Sequence, residues 1–479
     1  MAREIRFIDR SLTTGLYQIF CSSPFFAICS FSLIIFISSV IPLAFIWLIQ
    51  CIFLNISFIS IESSCLRTAI TIWSLAEVTF FFYQWYLYSK IQHHTTPPYV
   101  TSAERDELVS YALANIKSVS HTLSKWFMDC PFRDIDRESI VGWLAFAFYS
   151  KQYGELNDDE YKQIDAFIEK IQEQYQLEAP IDKSDKKIFY MKHILDPVRI
   201  IFRPLAFYFV TDTLLNGILG TSIFYLRGYE FVKVGHLQFW TYYNKSSHPE
   251  EEEDEEPIIF FHGIGSGLLM YQPFISRIHE RFGRNRRLIF ISMRCISMRY
   301  PSLNNIPNML ETTDSMKMIF NYYKLSKAIF IGHSYGTVCL SWIVQKCPQY
   351  ISRLIFIDPI CFVLFEPYVI YNFVYRTPYK LGHLYMYYFV CRELGISHVV
   401  SRHFWWTQNN LYIEQIPLCS NKRVPTHILL AGRDCIINAD LVRDYLVDND
   451  IDYHWAPNIS HGGFMRDRDS WRKVCEWIS

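Results

Sequence analysis

Residues 328–345 have the sequence AIFIGHSYGTVCLSWIVQ, in which a short apolar run leads into the pentapeptide GHSYG and then into a helical stretch. The pattern G-x-S-x-G between a strand and a helix places a serine, here Ser334, on a sharp, strained turn. Gly332 and Gly336 flank that serine at two positions' distance and leave space that side chains would otherwise occupy. The segment therefore predicts a strand–turn–helix unit that carries a serine nucleophile.

Short apolar runs alternate with helical stretches on both sides of this unit, from residue 236 onward. Runs of this length that are apolar throughout favour a parallel sheet covered on both faces, and their alternation with helices predicts an α/β fold. The predicted strands are residues 236–244, 258–261, 287–292, 328–331, 354–357, 427–430 and 452–455. The alternation stops between residues 360 and 423, where 15 of 64 residues are aromatic, so this segment is predicted to be an inserted cap.

Two further segments supply the partners that a serine nucleophile requires. Asp434, in the sequence AGRD, and His461, in SHGG, each follow a predicted strand, and such loops meet at the carboxyl edge of an α/β sheet. The order serine, acid, histidine is the one expected for a G-x-S-x-G enzyme. We therefore predict Ser334 as nucleophile, His461 as general base and Asp434 as the acid that orients it. Asp358, at the end of the strand sequence LIFIDP, is the alternative acid.

The glycine-rich segment 262–267, HGIGSG, follows the apolar run IIFF. A dinucleotide-binding loop would need glycine where Leu268 stands, and no P-loop lysine follows. Glycines also allow a backbone to approach a substrate closely, as an oxyanion loop must. We predict that the N–H groups of Ile264 and Tyr335 stabilise a tetrahedral oxyanion.

Residues from about 236 to 479 resemble the α/β-hydrolase superfamily. The resemblance is carried by HGIG at 262–265, GHSYG at 332–336, GRD at 432–434 and SHG at 460–462. It implies a serine esterase or lipase that uses Ser334 as nucleophile, His461 as general base and Asp434 as orienting acid. Some acyltransferases of the superfamily carry a His-x4-Asp signature, but Arg466 stands at the aspartate position here, so that signature is absent. Epoxide hydrolases and haloalkane dehalogenases use aspartate as nucleophile, so Ser334 argues against both. The N-terminal half resembles no family.

The N-terminal region has the composition of a membrane anchor. Residues 11–61 contain no aspartate, glutamate, lysine, arginine or histidine. Residues 24–49 are long enough for one membrane-spanning helix, with Pro42 as a tolerated kink, and residues 68–89 form a second candidate span. The second span contains Glu77, which is either an intramembrane functional group or a residue that faces a neighbouring helix.

The charges flanking the two predicted spans indicate an orientation. Arg3, Arg6 and Arg10 precede the first span and Lys90 follows the second, so the positive-inside rule predicts that both ends of the hairpin face the cytosol. The 13 cysteines include no CxxC pair, which fits a reducing compartment. We therefore expect an integral protein of an endomembrane whose catalytic domain faces the cytosol.

Residues 98–235 are predicted to be a helical connector between an anchor, residues 1–97, and a catalytic domain, residues 236–479 with the cap at about 360–423. The connector opens on a capping-box sequence from Thr101 to Glu104. The apolar stretch 197–226 has two open interpretations: it lies on a membrane surface, or it packs against the catalytic domain.

The sequence thus predicts a membrane-anchored serine hydrolase that cleaves carboxylic esters, with a lipid or another apolar ester as substrate. Alternatives are an acyltransferase or thioesterase that uses the same acyl-enzyme, and an inactive lipid-binding or scaffold protein. Outside the acidic run 250–256 the net charge is +6 and is spread along the chain, so no nucleic-acid partner is expected. No metal motif such as HExxH is present, and no metal or cofactor is expected.

Overall fold

In the computed structural model of this chain, residues 24–54, 63–176, 188–244, 255–304 and 306–479 are described. Arg3, Arg6, Arg10 and residues 250–254 of the acidic run lie outside this part. The C-terminal half is built on one eight-stranded sheet, and a two-stranded hairpin of β7 and β8 stands apart from it. The strands are β1 Glu230–Val234, β2 Leu237–Tyr242, β3 Glu255–Phe261, β4 Arg286–Ile291, β5 Ala328–His333, β6 Ile351–Ile357, β7 Leu418–Cys419, β8 Lys422–Arg423, β9 Thr426–Ala431 and β10 Tyr453–Ala456.

The strand order across the sheet is β1-β2-β4-β3-β5-β6-β9-β10. β2 is antiparallel to both β1 and β4, and all other neighbours are parallel. A mostly parallel sheet of this order, flanked by helices, is the α/β-hydrolase fold, so the predicted fold class is confirmed. The sequence pattern did not predict β1, because this edge strand is largely exposed and has no continuous apolar run.

The parallel strands are apolar throughout because both faces of the sheet are buried. Alternate residues of a strand point to opposite faces. In β3, Ile259 and Phe261 face one hydrophobic core, while Ile258 and Phe260 face a second.

The helices form three groups along the chain: apolar helices α1 and α2, connector helices α3 to α6 followed by α7, and helices that pack around the sheet. The first two groups are α1 Pro24–Ile49, α2 Ser64–Ile91, α3 Ser102–Asn115, α4 Val119–Trp126, α5 Arg137–Tyr149, α6 Asp158–Tyr175 and α7 Leu205–Leu226. The third group is α8 Gln272–Phe282, α9 Met309–Tyr323, α10 Tyr335–Lys346, α11 at residues 368–375, α12 at residues 381–391, α13 Leu394–Arg402, α14 Ala439–Asp448 and α15 Arg468–Ile478.

The connector helices pack directly on the sheet domain. Apolar side chains of α3 to α6 belong to the same core as one face of the sheet. The Trp126 indole N–H donates to the carbonyl of Phe365 over 2.8 Å, which joins α4 to the segment after β6. The predicted capping box at the start of α3 is present, with the Thr101 N–H donating to Glu104 over 2.7 Å and the Glu104 N–H donating to the Thr101 hydroxyl over 3.2 Å.

Three described helices are long and apolar enough to cross a membrane: Pro24–Ile52, Ser64–Ile91 and Leu205–Leu226. The first two contain the predicted spans. Glu77, in the middle of α2, is fully buried, and its carboxylate accepts hydrogen bonds from the N–H groups of Leu205 and Ala206 over 2.6 and 2.9 Å. Of its two interpretations, the one in which Glu77 faces a neighbouring helix agrees with these contacts.

Candidate active site

Ser334 lies on the turn between β5 and α10. Its φ of +53° is a conformation that side-chain-bearing residues seldom adopt. A methyl group on Gly332 would lie 2.8 Å from the Gly336 carbonyl oxygen, and one on Gly336 would collide with the Phe261 carbonyl. The two glycines are therefore required because the turn folds back on itself and presses against β3.

The structure brings Ser334 and His461 together, although 127 positions separate them in the chain. Nε2 of His461 lies 2.8 Å from Oγ of Ser334. Nδ1 of the same ring lies 2.6 Å from Oδ2 of Asp434. One imidazole therefore bridges a serine hydroxyl and a carboxylate, which is the arrangement in which a serine can lose its proton to a histidine.

Asp434 is held in place by its own loop. Its side chain is fully buried, and its second oxygen, Oδ1, accepts the N–H groups of Ile436 and Ile437 over 2.7 and 3.0 Å. These two backbone donors fix the carboxylate so that Oδ2 remains directed at His461. A buried carboxylate needs such partners, and the loop supplies them.

Asp358 makes different contacts. Its Oδ1 accepts the N–H of Ala431 over 2.9 Å, and its Oδ2 accepts the N–H of Gly462 over 2.7 Å. Burial alone would raise the pKa of this carboxyl, but the neighbouring His333 imidazole, the His461 imidazole and the Gly462 N–H together hold it below its ordinary value. Asp358 thus binds the backbone on both sides of the site, whereas Asp434 binds the imidazole.

The ionisation of His461 follows from these neighbours. Burial alone lowers the pKa of an imidazole, but the charge and hydrogen bond of Asp434, assisted by the charge of Asp358, outweigh this effect and raise the pKa of His461 to about 9. The side chain is 13% exposed, so water has little access to the ring. The unprotonated ring, which is the form that can accept a proton, therefore becomes abundant only in alkaline solution.

The loop that follows β3 packs against the Ser334 turn. A methyl group on Gly263 would lie 2.8 Å from the Cβ of Ser334, so only glycine allows this approach. Among the described residues, neither the Ile264 N–H nor the Tyr335 N–H has a hydrogen-bond partner. Both amides are therefore free to donate to a substrate oxygen.

His262 fixes the start of the same loop. The ring is fully buried, with Nδ1 2.8 Å from the Gly263 carbonyl oxygen, and Nε2 accepts the N–H of Met293 over 3.0 Å. Burial lowers the pKa of His262 to about 4, so the ring is neutral and Nε2 can accept. The motif HGIG predicts only that His262 belongs to a glycine-rich loop, and gives no sign of these contacts.

Tyr271 and His333 connect the two halves of the site, and sequence reasoning missed both. The Tyr271 phenol oxygen accepts the N–H of Gly263 over 2.9 Å and lies 2.7 Å from Nδ1 of His333. Since burial lowers the pKa of His333, its ring is neutral and Nδ1 accepts the phenol proton. The opposite nitrogen of that ring lies 3.6 Å from Asp358, so a chain of polar contacts runs from Gly263 to the loop of His461. The only sequence signal was the position of His333 inside GHSYG.

The described residues contain one group of potential metal ligands, formed by Asp358, Asp434 and His461, whose ligand atoms lie within 4.8 Å of one another. Both nitrogens of His461 already contact Ser334 and Asp434. The group therefore has the contacts of a proton-transfer site, and a cation would compete with each of them.

No family model and no curated protein matches this chain. Solved structures do match about half of it. A carboxylesterase from Bacillus subtilis is 14% identical, and the match covers 55% of this chain and 99% of that one with a TM-score of 0.35. A bacterial membrane phospholipase A is 15% identical, with 57% and 92% covered and a TM-score of 0.39. An enol-lactonase from Burkholderia xenovorans is 12% identical, with 52% and 99% covered and a TM-score of 0.36. At such identities and TM-scores, neither an activity nor a substrate carries over from those proteins to this chain.

Proposed function

We propose that this chain is a membrane-anchored serine hydrolase that cleaves carboxylic esters through an acyl-enzyme on Ser334. The observation that carries the proposal is the single imidazole of His461 between Oγ of Ser334 and the carboxylate of Asp434, at 2.8 and 2.6 Å. These distances are within hydrogen-bond reach, as a nucleophile and its base require.

In the proposed reaction, Oγ of Ser334 attacks the ester carbonyl while Nε2 of His461 takes the hydroxyl proton. The carbonyl oxygen becomes an oxyanion that accepts the N–H groups of Ile264 and Tyr335. When the ester bond breaks, His461 returns the proton to the leaving alcohol. Water then attacks the acyl-enzyme with His461 again as base, which releases the acid and restores Ser334. Asp434 stabilises the imidazolium in both halves of the reaction.

A lipid ester is the substrate that fits the surroundings of this site. Three long apolar helices accompany the α/β domain, and α12 in the aromatic segment contacts the first of them through Tyr385 and Tyr388. Burying apolar chain length stabilises a complex by about 0.8 kcal/mol per methylene, or about fourfold in binding. We therefore expect kcat/KM to rise by several-fold per added methylene in a series of acyl esters, until the binding region is filled. A flat series would argue against an acyl-chain site.

The experiment that tests the activity is labelling of membranes that contain the full chain with a fluorophosphonate probe. We expect labelling of the native chain and none of Ser334→Ala. Ser460→Ala is the matched control, because this exposed serine neighbours His461 and lies outside the proposed catalytic group. An unlabelled native chain, or equal labelling of Ser334→Ala, would contradict the proposal and favour the inactive lipid-binding alternative.

The acyl acceptor is tested separately. With water as acceptor, the free acid is the product, and an added alcohol or thiol does not change it. If an ester or thioester of the added acceptor is the main product, the chain is a transferase that uses the same acyl-enzyme. Orientation is tested by protease digestion of intact vesicles, and cleavage of a C-terminal tag from the cytosolic side is expected.

A further inference from the structure

Helix α7 has a hydropathy that suits a membrane span, but its two faces differ. One face packs on the protein and is buried: Tyr208, Asp212, Asn216, Gly220 and Phe224. The other face is apolar and exposed: Phe209, Val210, Leu214, Leu215, Ile218 and Leu219. Contiguous exposed apolar surface of this kind is uncommon on a soluble domain and marks contact with a partner or a membrane.

The chain on the two sides of α7 must lie on one side of any membrane. Before α7, the connector helices α3 to α6 share a hydrophobic core with the sheet, which follows α7. Lys117 of the connector also lies 3.3 Å from Asp448 and 3.5 Å from Asp444 of α14. If α7 crossed the bilayer once, it would separate two parts that pack together. It therefore enters and leaves through the same face.

The segment before α7 runs without helix along the second apolar helix. Two glutamine side chains pair its backbone groups. Gln92, just after α2, hydrogen-bonds to the N–H and the carbonyl of Val198. Gln84, within α2, hydrogen-bonds to the N–H and the carbonyl of Arg203. The Ile201 N–H donates to the carbonyl of Arg392 over 2.9 Å. Non-helical backbone is tolerated at membrane depth only where protein groups pair it in this way.

Glu77 then receives the first two N–H groups of α7, which otherwise have no partner at a helix start. Glu77 lies 14 residues before the Ile91 end of α2. At 1.5 Å per residue this is about 21 Å along the helix. A hydrocarbon core is about 30 Å thick, so α7 begins deep in the layer that α2 spans.

The cap shows a second contact at similar depth. Ser30 and Ser38 of α1 lie 2.9 and 2.8 Å from the hydroxyls of Tyr385 and Tyr388 on α12. Ser38 lies 14 residues from the Pro24 end of α1, again about 21 Å along the axis. The start of α7 and helix α12 of the cap thus both reach the middle of the apolar helices.

We infer that residues 198–226 form a re-entrant hairpin in the leaflet next to the catalytic domain, with the exposed face of α7 against lipid acyl chains. The occupant of this face is the bilayer, because α7 starts against Glu77 in the middle of α2, and the apolar side chains of α1 and α2 are themselves exposed over their length. The catalytic domain therefore contacts the bilayer directly through this hairpin, in addition to its attachment through α1 and α2. This inference does not depend on the proposed hydrolase activity.

The polar face of α7 connects the hairpin to the candidate active site. Asp212 accepts Arg299 over 2.5 Å and the N–H of Tyr300 over 3.0 Å. A methyl group on Gly267, in the predicted oxyanion loop, would lie 3.2 Å from Oδ1 of Asn216. The same helix thus contacts lipid on one face and the oxyanion loop on the other.

Lipid contact is tested by placing a photoreactive amino acid at Ile218 in the full chain, reconstituted in phosphatidylcholine vesicles with taggable acyl chains. Val447 on α14 is the matched control, because both side chains are 58% exposed. We expect lipid adducts at Ile218 and none at Val447. No lipid adduct at Ile218, adducts at Ile218 to protein only, or equal lipid adducts at both positions would overturn the inference.

Topology is tested with two protease sites, one inserted after Gly154 in the connector and one after the C-terminal residue. A methyl group on Gly154 would meet no other atom within 4 Å, so this position borders open space. In intact vesicles we expect both sites to be cut or both to be protected. Opposite fates would mean that α7 crosses the bilayer and would overturn the hairpin.

Discussion

The backbone N–H of Gly462 donates to Oδ2 of Asp358 over 2.7 Å, and Gly462 is the residue that follows His461. Asp358 therefore holds the loop of the histidine, while Asp434 holds the imidazole ring itself at 2.6 Å. Both carboxylates follow strands of the parallel sheet and both lie close to His461, but only one of them hydrogen-bonds to the ring. This division of contacts predicts different consequences for two matched substitutions.

Asp434→Asn is expected to lower kcat by about 10³–10⁴-fold, because an amide next to Nδ1 favours the wrong tautomer of His461 and removes the charge that stabilises the imidazolium. Asp358→Asn keeps that charge and leaves one of two buried backbone N–H groups poorly paired. We expect it to cost about 1–3 kcal/mol in the free energy of unfolding, with a smaller loss of kcat. Kinetics and thermal unfolding of both variants check this. An equal loss of kcat in Asp358→Asn would make Asp358 the acid.

The raised pKa of His461 predicts an alkaline activity profile. Below a pKa of about 9 the ring is protonated and cannot accept the Ser334 proton, so the rate of fluorophosphonate labelling should rise with pH to a midpoint near 9. Asp434→Asn should move this midpoint to lower pH, because it removes the charge that raises the pKa. Rates that are constant from pH 7 to pH 10 would contradict the prediction.

The raised pKa of His461 also predicts how stability depends on pH: stability should fall as the pH rises, whereas activity should rise. The folded-state pKa of His461 lies above the ordinary value of about 6.5, so the protonated ring stabilises the fold. This contribution is complete below pH 6.5 and is lost as the pH rises through about 9. The native chain should therefore lose thermal stability between pH 7 and pH 10, and His461→Gln should lose less over that range.

Sequence patterns could predict the sheet and the three side chains that meet at His461 because each depends on local chemistry. A strand buried on both faces must be apolar, and a serine on a crowded turn needs glycine on both sides, as at Gly332 and Gly336. The edge strand β1 was not predicted because it is largely exposed, and an exposed strand does not have to be apolar. The choice between Asp358 and Asp434 stayed open because both follow strands at the same edge of the sheet, and only the direction of backbone N–H groups separates their contacts.

The contacts of Tyr271 and the environment of α7 could not be predicted from the sequence, for a different reason. The Tyr271 phenol acts through Gly263 and His333, which lie 8 and 62 positions away, and no spacing rule connects the three. For α7, hydropathy gave two interpretations, membrane surface or domain packing, and the structure shows packing on one face and an exposed apolar surface on the other. A hydropathy value averages over the faces of a helix, so it could not separate them.

Tyr271→Phe is expected to lower kcat with little change in KM. The phenylalanine would leave the Gly263 N–H without its acceptor and Nδ1 of His333 without its donor, at a cost of about 1–3 kcal/mol for each buried group. The predicted oxyanion loop would lose its fixed position, and that loop acts mainly on the transition state. Tyr322→Phe, at a residue 69% exposed on α9, is the control and should have no effect. A rise in KM with unchanged kcat would mean that Tyr271 serves substrate binding instead.

The hydrogen bonds that Glu77 accepts at the start of α7 are expected to stabilise the proposed hairpin. Glu77→Leu removes the acceptor of the Leu205 and Ala206 N–H groups at a depth where no water replaces it. Each unpaired N–H group is expected to lower the free energy of unfolding by about 1–3 kcal/mol. Glu77→Gln keeps one amide oxygen as acceptor and should show a smaller loss, and Glu169→Leu, at an exposed position of α6, should show none. Thermal unfolding of the detergent-solubilised chain measures all three. Because α7 starts at this carboxylate, Glu77→Leu should also weaken lipid adducts at Ile218. If Glu77→Leu were as stable as Glu169→Leu, the buried carboxylate would have no part in holding the hairpin.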